Sequence, residues 1–376
     1  MNLRKRLLAA GTALLAFSGA AQAEKYIFQT WLNPSYVFTA EGNIGFADAV
    51  RAASNGEIDF DVMTGGVLFP ANGTIEGIGN GVAHAGPVPP SYHPSQFPLA
   101  NAIGDIGFAN PDPMLLTYAY ADFTMNDPAA RAEWQRNGLV YAAAGATPIY
   151  YLMCRGDVKT LEDVQGKRIR VPGGGLARIA EAFGGIAVNI AGSEMYTALE
   201  RGAIDCAIGD ATQLTSGTNI IELVGSVILQ PMNPAYLTGM IVYNPDFWRG
   251  LTDDQRRLLL DEGAAAMVRT QIAFTAEADT ALEAARQRGI DVQEPDPSIA
   301  RAYDDFVEGG TGGMAEVART TYKIEDPEAL FANFTSYIDK WAKLLDGVDR
   351  RDEAALTALV RQNLYDGIDV ASYGMQ

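Results

Sequence analysis

The sequence predicts an α/β protein of two domains joined by one long helix. Three observations carry that expectation. Strand-period and helix-period segments alternate from residue 25 to residue 208 in a βαβ rhythm. Residues 252–288 hold one unbroken helical pattern, too long for a single small domain. About 350 residues follow the N-terminal segment, more than one hydrophobic core usually serves.

The chain opens Met1-Asn2-Leu3-Arg4-Lys5-Arg6, runs apolar from Leu7 to Phe17 and ends this stretch with Ala21-Gln22-Ala23. A basic start, a short apolar middle and a small-x-small end make a secretory signal peptide. Its apolar run is shorter than the roughly 20 residues a membrane span needs. Residues 1–23 are therefore expected to be removed, leaving a soluble periplasmic chain with no membrane insertion. Loss of Arg4, Lys5 and Arg6 moves the formal net charge from −18 to about −21. So acidic a chain is a poor partner for nucleic acid or anionic membrane. If it binds an anion, it must concentrate positive charge locally, which makes individual arginines informative. Cys154 and Cys206 are too few for a disulfide framework; they either pair once or sit buried and inert. His84 and His93 lie nine apart and match no metal-ligand spacing. No G-x-S-x-G occurs. Neither a metal, a cofactor nor a catalytic residue is expected.

Residues 25–31 read as a first strand. Ile44, Phe46, Ala47, Val50 and Ala53 give residues 43–54 helical spacing, stopped by Asn55-Gly56. Residues 58–63 alternate as a strand, and a helix follows near 72–80. Residues 84–98, rich in Pro, Ser, Tyr and His, read as a loop, placed where α/β folds bind ligands. Residues 113–123 and 128–137 read as helices, 139–143 and 148–154 as strands. Thr160 caps a short helix with Asp163 three residues on. Strand 168–171 runs into Pro172-Gly173-Gly174-Gly175, then a helix at 176–183. A strand at 186–190, a helix at 193–201 and a strand at 203–208 follow. Thr252-Asp253-Asp254-Gln255 is a capping box with acids in the first turn, and Gly289 ends the long helix. At 1.5 Å per residue it would be roughly 55 Å long. Three or four amphipathic helices complete the chain.

The informative stretch is 161–210. Arg168 and Arg170 alternate with Ile169 and Val171, so both arginines share one strand face. Three glycines then lead into a helix whose first N–H groups lack partners. Glycine there admits close approach of a ligand to the backbone, and an arginine fork beside it suits a carboxylate. A surface arginine and a plain flexible turn would give the same letters.

The order of these pieces resembles the periplasmic solute-binding proteins of tripartite ATP-independent periplasmic (TRAP) transporters, the DctP-like family. The family's D-L-K-G-x-K-x-R-V-P stretch is present as Asp163-Val164-Gln165-Gly166-Lys167-Arg168-Ile169-Arg170-Val171-Pro172. Its G-x-x-P…E-x-Y-x-A-L-x-x-G-x-x-D stretch runs from Gly185 to Asp205, with Val188 in place of proline. Tyr243-Asn244-Pro245-Asp246-Phe247-Trp248, Leu251 and Gln255 resemble the family's junction into its long helix.

The resemblance implies a two-domain, type II-like periplasmic binding fold. Its expected boundaries are 24–148 plus 236–273 for domain I and 149–235 plus 274–376 for domain II. It implies a small organic acid held in the interdomain cleft by Arg170, and delivery to TRAP membrane permease subunits. Where Asn, Glu or Trp often line the family's cleft this chain has Ile208, Gly209 and Asp210; the Glu-Trp pair with which some keto-acid binders hold a cation is missing, so no metal is implied. The second arginine of sialic-acid binders falls on Tyr150. These departures point to a monocarboxylate with an apolar or aromatic body. Tyr150, Gly209, Asp210, Thr212, Trp31, Tyr36 and Val88 are the further cleft candidates, the last three within segments 31–36 and 87–92. Each has a plainer reading: Tyr150 and Trp31 as core, Asp210 as a helix cap, Arg168 as solvated or paired with an acid. Tyr196, three before Leu199, reads as core, and Cys206 as a small buried residue. Two rivals share the shape, an ABC-type or sensor-linked binding protein and a periplasmic enzyme.

Overall fold

The computed structural model describes residues 24–375, so the expected signal segment lies outside the described residues. Eleven strands form two sheets among the described residues: β1 Glu24–Gln29, β2 Ile58–Met63, β3 Ala85–Val88, β4 Val140–Gly145, β5 Tyr150–Cys154, β6 Arg168–Val171, β7 Ile186–Asn189, β8 Cys206–Asp210, β9 Ser226–Met232, β10 Thr238–Tyr243 and β11 Asp291–Gln293. The first sheet has the order β2-β1-β3-β10-β4 and the second β11-β9-β5-β8-β6-β7. Each is covered by helices and has its own apolar core, giving two α/β lobes.

In the first lobe β1 and β2 pair in parallel from Glu24↔Ile58 to Gln29↔Met63. The helix between them buries Phe46 and Val50 on Ile58 and Phe60. It begins earlier than its periodicity suggests, at Val37, through a π-type turn at Ala40–Ile44. Gly42 permits this approach, since a Cβ there would lie 2.7 Å from Met240 Sδ.

Segment 84–98 is a loop only in part. β3 lies inside it, in the middle of the sheet between β1 and β10, and Val88 is fully buried. Gly86 and Pro87 hide this strand from sequence patterning. The glycine is nevertheless needed, because a Cβ at position 86 would lie 2.3 Å from the Gln29 carbonyl oxygen. Strands β9 and β11 and helix Pro98–Gly104 also go unpredicted.

Two short crossings join the lobes, residues 146–149 and 233–237. They bond to each other: Thr147 N–H donates to the Ala235 carbonyl (3.0 Å) and Ala235 N–H to Thr147 Oγ1 (3.1 Å). The third link is helix Asp253–Gln287, capped by Thr252 and Gln255 as predicted. Its 35 residues make it roughly 52 Å long. Leu260, Met267 and Phe274 enter the first core, Ala285 the second.

The C-terminal part corrects the expected boundaries. Helix Pro297–Thr320 puts Ile299 and Tyr303 in the second lobe's core, breaks at Gly310 (φ 60°), and puts Met314 and Ala318 in the first. Helices Pro327–Leu344 and Glu353–Val360 pack wholly on the first lobe through Phe334, Trp341, Leu356 and Val360. The cause is helix Pro113–Asn126, buried on all sides; a helix apolar all round must be covered all round. Its one buried acid, Asp122, receives Trp341 Nε1 at 2.9 Å and Lys340 Nζ at 2.6 Å. Among the described residues no helix is long and apolar enough to cross a membrane.

Candidate functional site

Arg170 projects from β6, which lies between β7 and β8. The alternation Arg-Ile-Arg-Val sends Ile169 and Val171 into the second core. Arg168 is at the exposed end of the strand and forks onto Asp205, at 3.0 Å from Nε and 2.7 Å from Nη2. That pairing holds the Asp205 carboxyl below the usual range. Arg170 has no such partner. It is 3 % exposed. Its Nε donates to the Ile190 carbonyl (3.1 Å), Nη1 to the Ile208 carbonyl (3.2 Å) and Nη2 to Tyr92 Oη (3.3 Å). All three acceptors are neutral, and among the described residues no carboxylate lies within 4.0 Å of it. Burying an uncompensated charge costs several kcal/mol, and here only these three hydrogen bonds offset it.

It opens onto a cavity of about 280 Å³ between the lobes, large enough only for a small molecule. Six aromatic rings line it: Trp31, Tyr36, Phe38 and Tyr92 from the first lobe, Tyr150 and Tyr196 from the second. Among the described residues Arg170 is the single charged one on the wall. The Thr147 and Ala235 crossings close one side. Trp31 is 6 % exposed, and its Nε1 is buried without a hydrogen-bond partner; its ring meets Tyr92 edge-on at 6.4 Å.

Of the residues singled out from sequence, the structure brings Arg170, Tyr150, Trp31 and Tyr36 together on this wall. It does not bring the other four there. Val88 is in the first core. Gly209 is buried within β8, and a Cβ on it would lie 3.1 Å from Met153 Cε. Asp210 and Thr212 are fully buried behind the wall. Asp210 caps the turn Ala211–Leu214 and also receives Tyr36 Oη across the cleft at 3.1 Å. Burial raises its carboxyl pKa, opposed by hydrogen bonds from Thr212, Gln213 and Tyr36. Tyr196 packs against the second lobe's core, as its spacing suggests, and lines the cavity as well. Met195 and Leu199, four apart, take the centre of the core face of their helix, which leaves Tyr196 at its edge, between core and cavity. Phe38 and Gln213 also line the cavity, with no local signal in the sequence to mark them.

The glycine run is corrected as well. Gly174 and Gly175 admit the other lobe, not a ligand: added Cβ atoms would lie 2.9 Å from Tyr322 Oη and 3.0 Å from Asp105 Oδ1. Asp105 therefore occupies the start of helix Gly174–Ala182, accepts from the Gly175 N–H and pairs with Arg178. Burial still pushes its pKa up. With Ser35 Oγ on the Ser216 carbonyl (2.9 Å), Asn33 on the Gly217 carbonyl and Tyr92 Oη accepting from Gly192 N–H (3.1 Å), the lobes are closed on each other.

Cys154 and Cys206, opposite each other on β5 and β8, form a disulfide. No group of three or more metal-competent side chains occurs among the described residues.

Residues 38–308 match the family model described as bacterial extracellular solute-binding protein, family 7 (DctP). A curated "Solute-binding protein" of Albidiferax ferrireducens is 24 % identical over 285 residues, covering 73 % of this chain and 78 % of its own. Several solved structures share the fold. One is a TRAP solute-binding protein of an unidentified marine microbe, specific for aromatic acids and bound to 3-hydroxybenzoate (TM-score 0.74, 16 % identity, 85 % of this chain and 99 % of that one). Another is a TRAP solute-binding protein of Bordetella bronchiseptica bound to (R)- and (S)-mandelate (TM-score 0.72, 20 % identity, 84 % and 99 %). A third is an extracytoplasmic solute receptor of Bordetella pertussis that binds pyroglutamic acid (TM-score 0.65, 18 % identity, 90 % and 100 %). A two-lobed α/β fold, an interlobe cavity and a family match over most of the chain agree: this protein belongs to family 7 of the bacterial extracellular solute-binding proteins, the DctP family.

Proposed function

We propose that the chain is exported through its N-terminal signal, captures a small monocarboxylate with an aromatic or apolar body, and presents it to TRAP permease subunits in the membrane. The observation that carries this reading is Arg170, a buried guanidinium without a counter-ion at the wall of an aromatic-lined cavity. One cation on the wall suits one carboxylate. The six rings suit a flat apolar body, since ring pairs add roughly 0.5–1.5 kcal/mol beyond burial. The orphaned Trp31 Nε1 offers a second donor to an acceptor atom of the ligand. Lobe closure removes the carboxylate from water and strengthens its pairing with Arg170. The closed face that results differs from the open one, which gives a permease something to distinguish. The structural relatives with aromatic acids support the ligand class.

A thermal-shift screen of organic acids tests the proposal. Aromatic monocarboxylates should raise the melting temperature by mass action, more than dicarboxylates or neutral analogues. Stabilisation by neutral analogues alone would reject it.

A further inference from the structure

Asp210 touches no open space, yet it governs what part of the wall offers a ligand. Its Oδ1 accepts from Thr212 N–H (3.1 Å) and from the Thr212 hydroxyl; its Oδ2 accepts from Gln213 Nε2 (3.1 Å) and Tyr36 Oη (3.1 Å). Two of these, the backbone N–H and the amide N–H, can only donate. Tyr36 has one hydrogen, and a charge-assisted bond to a carboxylate is its strongest use. With that hydrogen committed across the cleft, the Tyr36 oxygen has only lone pairs left for the cavity. Gln213 is fixed in the same way, its amide nitrogen on Asp210 and its oxygen accepting from Thr218 Oγ1 at 3.1 Å. The Tyr36 ring is itself held edge-on to Phe274 at 5.4 Å. A ligand group beside Tyr36 therefore meets an acceptor backed by a buried acid. A hydroxyl hydrogen fits there. A carbonyl, an ether oxygen or a second carboxylate would bring lone pair against lone pair.

We propose that Asp210 is a positioning residue for ligand choice: by drawing the Tyr36 hydrogen out of the cavity it selects hydroxy-substituted monocarboxylates over their keto, ether and dicarboxylate analogues. This rests on the reading that Arg170 receives a carboxylate in the same cavity.

The test measures affinities of matched probes by calorimetry on the purified chain: mandelate against phenylglyoxylate, and 3-hydroxybenzoate against 3-methoxybenzoate. Phenylacetate and benzoate serve as unsubstituted parents. In at least one pair the hydroxy acid should bind roughly three- to tenfold more tightly, the worth of one neutral hydrogen bond. Tyr36→Phe should level that pair. Asp210→Asn should reverse it, because a carboxamide N–H can donate to Tyr36 Oη and turn the phenol hydrogen into the cavity. A merely structural role for Asp210 would weaken both members of a pair alike. Where Asp210→Asn lowers stability, Tyr36→Phe, which keeps the ring and its packing, carries the test. Equal affinities within both pairs, or a hydroxyl preference unchanged in either variant, overturns the inference and leaves acid binding standing. No binding by any of the six acids, or binding indifferent to Arg170→Met, overturns the acid-binding reading and this inference with it.

Discussion

Replacing Arg170 with methionine should abolish most ligand affinity while leaving the empty protein nearly as stable as before. The two effects follow from different ledgers. In the ligand-free chain the buried guanidinium carries a desolvation cost of several kcal/mol. It is offset by three hydrogen bonds to neutral acceptors at 3.1–3.3 Å, each worth about 1.5–3 kcal/mol for a charged donor. Methionine removes both terms, fills most of the volume and leaves two backbone carbonyls to find other donors. The net change in unfolding free energy is therefore about 1 kcal/mol or less in either direction. With ligand bound, the same substitution strands a desolvated carboxylate. Losing one member of such a pair costs about 2–4 kcal/mol, roughly a 30- to 1000-fold rise in Kd. Urea unfolding without ligand and calorimetry with ligand separate the two. Arg170→Lys should fall between, since it restores charge but not the planar fork. A methionine variant whose Kd stays within about threefold of the parent would refute the reasoning.

Three further outcomes follow from the same geometry. Trp31→Phe removes a buried donor that has no partner in the closed protein; thermal stability without ligand should hold or rise while affinity falls roughly three- to tenfold, read by melting curves and calorimetry. Glu133 accepts from the N–H groups of Leu99 and Ala100, at 2.7 and 3.0 Å, yet burial raises its pKa from 4.5 to about 7. The folded chain thus holds a proton that the unfolded chain releases, so this contribution is complete below pH 4.5 and is lost as pH rises to about 7. A shift of that size is worth roughly 3 kcal/mol. The stability difference between parent and Glu133→Gln should change by about that amount across this window, and a flat difference would count against it. Converting both Cys154 and Cys206 to alanine opens a loop of 52 residues and should cost about 4 kcal/mol by the chain-entropy estimate. Denaturant titration would show it, and the parent in reductant should move the same way.

Particular residues show where sequence patterning succeeds and stops. The capping box at Thr252 and Gln255, the parallel pair β1 and β2, and the strand bearing Arg168 and Arg170 were all legible. Each depends on residues two to four apart. The strand β3 was not, because Gly86 and Pro87 serve a close approach to Gln29, which lies in another strand. Spacing to Leu199 marks Tyr196 as core, which it touches, but cannot show that the first lobe faces its other side across the cavity.

The sequence by itself determined the alternation of strands and helices, the long linking helix and the presence of two arginines on one strand. Tertiary structure alone decided that Arg168 spends its charge on Asp205 while Arg170 keeps its charge unpaired. It alone decided that Asp105 takes the helix start behind the glycines, and that the last two helices wrap the first lobe. Periodicity is a property of neighbours along the chain. Counter-ions, burial and the faces of a cavity are set by groups tens to hundreds of residues apart, brought together only by the tertiary fold.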